Sequence, residues 1–207
     1  MNHVAGVDQT LFHLLNGMWT NPLLDRLMPA LSQIGNLGAV WIALLGAIAA
    51  FGNKTGRRIA LAGLVALAIG FVSSEVIKEI TMRPRPFATL DHARLLVGAP
   101  HSYAFPSGHT TSAFAASTGA ALAAHKLLGR VPVWGWGMLA LAAAISYSRI
   151  YVGVHWPTDV EAGAALGLAS GWVGIRLALR GWGRKPPKPS LERTEEPEQA
   201  PRVQYIS

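Results

Sequence analysis

At 207 residues, 51% hydrophobic and 14% charged, the chain carries too little charge for an ordinary soluble domain, in which about a quarter of residues are charged. Its 22 glycines and 7 tryptophans suit membrane helices and their interfaces. The net charge of +7 falls in short loops and not on a basic helix with interleaved aromatics, which argues for a membrane surface and against a nucleic-acid partner. No cysteine is present, so disulfides and thiolate metal sites are excluded.

In chain order, residues 1–33 read as an amphipathic, interfacial N-terminal segment without the basic start and apolar core of a cleavable leader. Its apolar clusters are broken by Asn16, Gly17, Asn21 and Pro22, and neither piece reaches the roughly 20 apolar residues needed to cross a bilayer. Phe12, Trp19 and Leu27 are expected to face lipid. In the alternative, residues 22–35 lengthen the first span as a tilted helix. Residues 34–183 form the transmembrane domain. Spans are expected at about 34–52, 57–79, 108–128, 132–149 and 157–180, each near the length a helix needs at about 1.5 Å per residue. Lipid offers no partner to open backbone groups, so these are helices and the fold is an all-α bundle. Gly163, Gly167 and Gly171 recur four apart, a stripe that lets helices approach closely. Residues 80–107 are the longest break between spans, and a loop of that length is often functional. Residues 184–207 hold five prolines and nine charged residues and are expected to form a disordered tail.

Charge orients the chain. Lys54, Arg57 and Arg58, then Lys126 and Arg130, then Arg180, Arg184 and Lys185 fall on one side if five spans alternate, and positive loops stay cytoplasmic. The opposite side holds Arg83, Arg85, Arg94 and Arg149, arginines that escape the rule if a site binds them. Lys78, Arg85, Ser107, His109, Arg149, His155 and Asp159 are separated by even numbers of crossings. All seven therefore share that face.

These residue types suit a phosphate group. Lys78 ends one helix and Arg85 lies on the stiff exit between Pro84 and Pro86, so a point charge and a planar fork can reach one anion from two directions. Snorkelling to headgroups is the plainer account of Lys78, as is a local ion pair with Glu75 or Glu79. Pro106-Ser107-Gly108-His109 opens an apolar helix, where Ser caps, Gly admits a ligand to the backbone and the helix end favours an anion. An ordinary cap would explain Ser107 and Gly108 but not His109. His155 and Asp159 are four apart, with Pro157 suited to the first position of the next helix. The carboxylate can turn back to the imidazole and fix its tautomer, or simply complement the helix dipole. Trp156 reads as an interface marker and Tyr151 as packing.

Lys78-(six residues)-Arg85-Pro86, Pro106-Ser107-Gly108-His109 and Ser148-Arg149-(five residues)-His155-(three residues)-Asp159 together resemble the three-part signature of the type-2 phosphatidic acid phosphatase superfamily. The signature covers residues 78–159 without departure. The resemblance implies an integral membrane lipid phosphatase whose usual six-helix core would recruit one N-terminal piece, giving five to six spans. It implies His155 as nucleophile, Asp159 as its orienting partner and His109 as general acid. Lys78, Arg85, Ser107, Gly108 and Arg149 would bind the phosphoryl oxygens. No carboxylate motif for magnesium is evident, so hydrolysis without metal or cofactor is expected. The outward-facing site suggests a lipid phosphate of the outer leaflet of a bacterial inner membrane. A polyprenyl diphosphate such as the undecaprenyl carrier is the first expectation, with phosphatidylglycerophosphate, phosphatidic acid and lipid A phosphate as rivals. From other classes, a transporter would place its charges near the bilayer midplane, and a lipid-binding protein would keep the pocket without turnover.

Overall fold

The computed structural model describes residues 3–180, which are all-helical with no strand among them. α1 (His3–Phe12) runs into a π-helical turn at His13–Met18. α2 (Pro22–Ile34) starts where the Asn21 side chain accepts from Leu24 N at 2.9 Å and Pro22 takes the first helical position. It meets α3 (Ala39–Phe51) at a bend of 51°. Leu37 and Gly38 there adopt positive φ values of 50° and 70°. α4 (Lys54–Thr81) is capped by Asn53, whose side chain takes two backbone N–H groups, and ends at Met82 before Pro84. α5 (Gly108–Leu128), α6 (Val133–Tyr151) and α7 (Pro157–Ala178) complete the bundle.

Helices therefore occupy all five expected positions. The second is longer than expected at both ends, because the Asn53 cap and the residues up to Thr81 extend it. Among the described residues α4 alone is long and apolar enough to cross a membrane by itself, and α2 with α3 passes that test as a bent pair. The expected tail at 184–207 lies outside the described residues.

The core is built on α4, α5 and α7. α5 presents alanines at 113, 116, 120, 123 and 124 to Trp41 and Leu45 of α3 and to Leu67 of α4. The glycine stripe of α7 is a packing surface, as anticipated, and its partner is α5. A Cβ on Gly163 would lie 2.8 Å from Ser107 O, on Gly167 2.7 Å from Thr111 O and on Gly171 2.7 Å from Thr118 Cβ. Backbone thus lies directly on backbone, and the starts of α5 and α7 are locked together.

Two aromatic expectations are corrected. Trp19 and Leu27 are exposed, but Phe12 is buried. It packs on the Trp156 ring with centroids 5.4 Å apart. Trp156 is likewise buried and is no interface marker, since its indole N–H donates to Pro84 O at 3.0 Å. Both errors share one cause. Periodicity locates an apolar face but does not reveal that α1 folds back against the start of α7.

Candidate active site

A cavity of about 610 Å³ opens where the α2–α3 elbow, the end of α4, the start of α5, the end of α6 and the turn before α7 meet. Six of the eight residues singled out in the sequence line it: Lys78, Arg85, Gly108, His109, Arg149 and His155. Ser107 and Asp159 stand behind that wall, fully buried. Ser107 Oγ caps α5 by accepting from Thr110 N at 3.5 Å, and Ser107 N donates to Asp159 O at 2.9 Å. That backbone bond joins the second motif to the third.

Each lining residue has a local reason for its place. Lys78 sits in the last turn of α4, with Nζ 2.5 Å from Glu75 Oε1. Gly108 begins α5 beside it, and a Cβ there would lie 2.9 Å from Lys78 Nζ. The absence of that Cβ is what lets the ammonium approach the helix end. Gly35 does the same across the cavity, where a Cβ would sit 3.2 Å from the His109 ring. Arg85 is extended and nearly buried. Its Nε donates to Ser102 O at 2.7 Å, Nη2 to Ser102 Oγ and Tyr103 O at 3.1 Å each, and Nη1 to Val154 O at 2.8 Å. The guanidinium thus ties the 102–103 loop to the turn that carries His155. Arg149, at the end of α6, donates through Nη1 to Ser32 Oγ of α2. Its buried Nε has no hydrogen-bond partner among the described residues.

His155 is buried between two partners. Arg85 Nη1 lies 3.2 Å from Nε2, and Asp159 Oδ2 lies 3.4 Å from Nδ1. Arginine has donors and no acceptor, so Nε2 must present its lone pair to Arg85. The ring proton then belongs on Nδ1, facing the carboxylate. Burial, with Arg85, Arg149 and Lys78 nearby, pushes the His155 pKa well below its ordinary value. Both the contacts and the lowered pKa favour a neutral imidazole whose Nε2 lone pair is directed at the Arg85 guanidinium. Burial also draws Arg85 down to about 10, opposed by Asp159 and Glu75, so it stays charged at neutral pH. Lys78, Arg85 and Arg149 thus surround a cavity whose nearest carboxylates are one paired glutamate and one aspartate behind the histidine. Such a site has unspent attraction for an anion.

Several contributors escaped sequence reasoning. Ser32 and Ser102 line the cavity from an elbow and a loop with no polar periodicity. Arg83 donates to Asp159 Oδ1 at 2.6 Å and to Asp8 Oδ2 at 2.5 Å. Its one signal was its place in Arg83-Pro84-Arg85-Pro86 on the side where arginines need a reason. Asp8 gave none. Asn16, in the interrupted N-terminal segment, takes the Arg94 N–H at 2.8 Å and donates to Arg94 O and Tyr151 O. Gly153, at φ 86°, makes room for that strand of loop, since a Cβ there would lie 2.2 Å from Arg94 O.

The chain is similar in sequence and in fold to known proteins. The sequence profile of the PAP2 superfamily matches residues 59–182. An undecaprenyl-diphosphatase from Sulfolobus acidocaldarius is 36% identical over 85% of this chain and 81% of its own length. A lipid A 4'-phosphatase from Porphyromonas gingivalis is 30% identical over 86% of this chain and 76% of its own. The crystal structure of a transmembrane PAP2-type phosphatidylglycerolphosphate phosphatase from Bacillus subtilis superposes with a TM-score of 0.71. It is 25% identical, and the match covers 89% of this chain and 90% of that one.

Proposed function

Because the chain belongs to the PAP2 superfamily, we propose that it removes the terminal phosphate of a membrane lipid through a phosphohistidine formed on His155. That it is a hydrolase of phosphate esters and a lipid phosphatase follows from the family and its named relatives. The observation that carries the finer reading is the place of His155, its Nε2 3.2 Å from Arg85 Nη1, in the wall of a cavity also lined by Lys78, Arg85 and Arg149.

In this reading the phosphoryl oxygens draw the Arg85 N–H away from Nε2 and take donors from Lys78, Arg149 and the Gly108 end of α5. Nε2 then attacks phosphorus and a P–N bond forms. The P–O bond to the lipid breaks, and His109 gives its proton to the departing oxygen. Asp159 compensates the charge that the His155 ring gains. Water next attacks phosphorus, giving its proton to His109, and the P–N bond breaks to release inorganic phosphate and regenerate His155. The cations stabilise charge on the equatorial oxygens throughout. No step calls on a metal.

The first-choice substrate is a polyprenyl diphosphate such as the undecaprenyl carrier, by likeness to the Sulfolobus relative. A phosphatidylglycerophosphate or lipid A phosphate is the second reading, supported by the Bacillus structure and the Porphyromonas relative; phosphatidic acid is a further rival. We place α3 to α7 across a bacterial inner membrane as five spans, with α2 joined to the first through the elbow. The cavity then opens on the extracytoplasmic side, consistent with Lys54, Arg57, Arg58, Lys126 and Arg130 on the other.

The test is phosphate release by purified protein over polyprenyl diphosphate, phosphatidylglycerophosphate, phosphatidic acid and lipid A phosphate, with and without vanadate. Release from the polyprenyl substrate, abolished by vanadate, supports the reading. Release only from a glycerolipid or lipid A moves the assignment to that lipid. Lipid binding without release from any of them defeats catalysis and leaves a carrier or transporter.

A further inference from the structure

Behind the His155–Asp159 pair lies a polar network that the reaction scheme does not use. We propose that Arg83 is a positioning residue for Asp159, and that Asp8 of α1 anchors it. The inference rests on the phosphohistidine reading above.

Asp159 is fully buried, and both of its oxygens are engaged. Oδ2 accepts from Trp156 N at 2.8 Å and faces His155 Nδ1. Oδ1 accepts from Arg83 Nη1 at 2.6 Å. A buried carboxylate keeps its charge only if it is paired. Arg83 supplies that pair from outside the cavity wall. Arg83 is itself held on three sides. Nη2 donates to Asp8 Oδ2 at 2.5 Å, and Nη1 also donates to Thr158 Oγ1 at 2.8 Å. The guanidinium lies 5.4 Å from the centre of the Trp156 ring. Asp8 is buried too, and accepts from Thr158 N at 3.0 Å and Thr158 Oγ1 at 2.7 Å. The order Asp8, Arg83, Asp159, His155 is therefore a continuous hydrogen-bonded chain from the N-terminal helix to the attacking ring.

Two carboxylates share one planar fork. A guanidinium can bridge them because its nitrogens are fixed in one plane, whereas an ammonium serves as one point charge. With Arg83 removed, Asp159 is left without its cation, and the tautomer that keeps the Nε2 lone pair toward substrate loses its support. Arg83 does not line the cavity, so phosphate binding should be spared while turnover falls.

The experiment uses the full-length protein in detergent or nanodiscs with the lipid phosphate that it hydrolyses. Arg83→Met should lower kcat by about ten- to a hundredfold with KM within about threefold, the pattern of a lost transition-state contribution. Arg83→Lys retains the charge and should fall between, about three- to tenfold below wild type. On an Asp159→Asn background, Arg83→Met should cost nothing further, because the two act as one unit. Thermal unfolding of each variant separates turnover from folding. If Arg83→Met does not fold, Arg83→Lys decides. Arg83→Lys at wild-type kcat, or additive losses in the double variant, overturns the proposal. Wild-type protein that releases no phosphate overturns the phosphatase reading instead, so the two failures are distinguishable.

Discussion

Gly108→Ala offers a test in which stability and activity are predicted to move apart. Gly108 opens α5 in helical conformation, where alanine loses less backbone entropy on folding. The substitution should leave the melting temperature unchanged or raise it, by up to about 1 kcal/mol of stability. The added Cβ would meet Lys78 Nζ at 2.9 Å, with Glu75 Oε1 at 3.7 Å. Ordinary contacts begin near 3.4 Å, so the ammonium must retreat by about half an ångström from where it would meet a phosphoryl oxygen. A misplacement of about 1 Å costs roughly a hundredfold in rate, and half of that corresponds to about tenfold, or about 1.4 kcal/mol of transition-state stabilisation. The assay pairs phosphate-release kinetics in detergent with thermal unfolding under the same conditions. Gly108→Ala at wild-type kcat/KM with unchanged stability would refute the placement of Lys78 as a phosphate ligand.

Two further outcomes concern the fold and its pH dependence. In Gly167→Ala the new Cβ would lie 2.7 Å from Thr111 O, which is backbone and cannot rotate away. The α5–α7 contact should loosen by about 1–3 kcal/mol, seen as a lower melting temperature; an unchanged melt contradicts the packing argument. His155 has its pKa held well below the ordinary value by burial and by Arg85, Arg149 and Lys78, so as pH falls through about 6.5 the unfolded chain takes this proton first. The His155 contribution to stability is therefore present above that pH and lost on acidification. Wild-type melting temperature should drop more steeply between about pH 7.5 and 5.5 than that of His155→Gln, and parallel curves would show that the ring is not buried neutral.

How much was legible depended on whether a feature is local. The helices that begin near 108 and 157 were readable because their starts carry local chemistry, Ser107 and Pro157. That the α7 glycines serve close helix packing followed from their spacing, although the partner helix did not. Crossing parity, a counting argument that needs no coordinates, gave the cavity residues a common face but not the cavity itself. Phe12, Trp156, Asp8 and Arg83 were not legible in this way. Their roles arise from α1 folding back across the exit of α4 and the start of α7, a tertiary event that leaves no periodic mark. The bend between α2 and α3 was also hidden. It rests on positive φ at Leu37 as well as Gly38, and a leucine in that conformation announces nothing in a sequence.

In the proposed reaction His155 itself receives the phosphoryl group. The direct measurement is to mix purified protein with a phosphorus-labelled polyprenyl diphosphate, quench within the first turnover in base, and map any acid-labile, base-stable phosphoryl peptide by mass spectrometry. Label is expected on the peptide that contains His155 and not in His155→Ala, where phosphate release should fall by several orders of magnitude. Full phosphate release by a His155→Ala protein prepared free of other membrane phosphatases would contradict it.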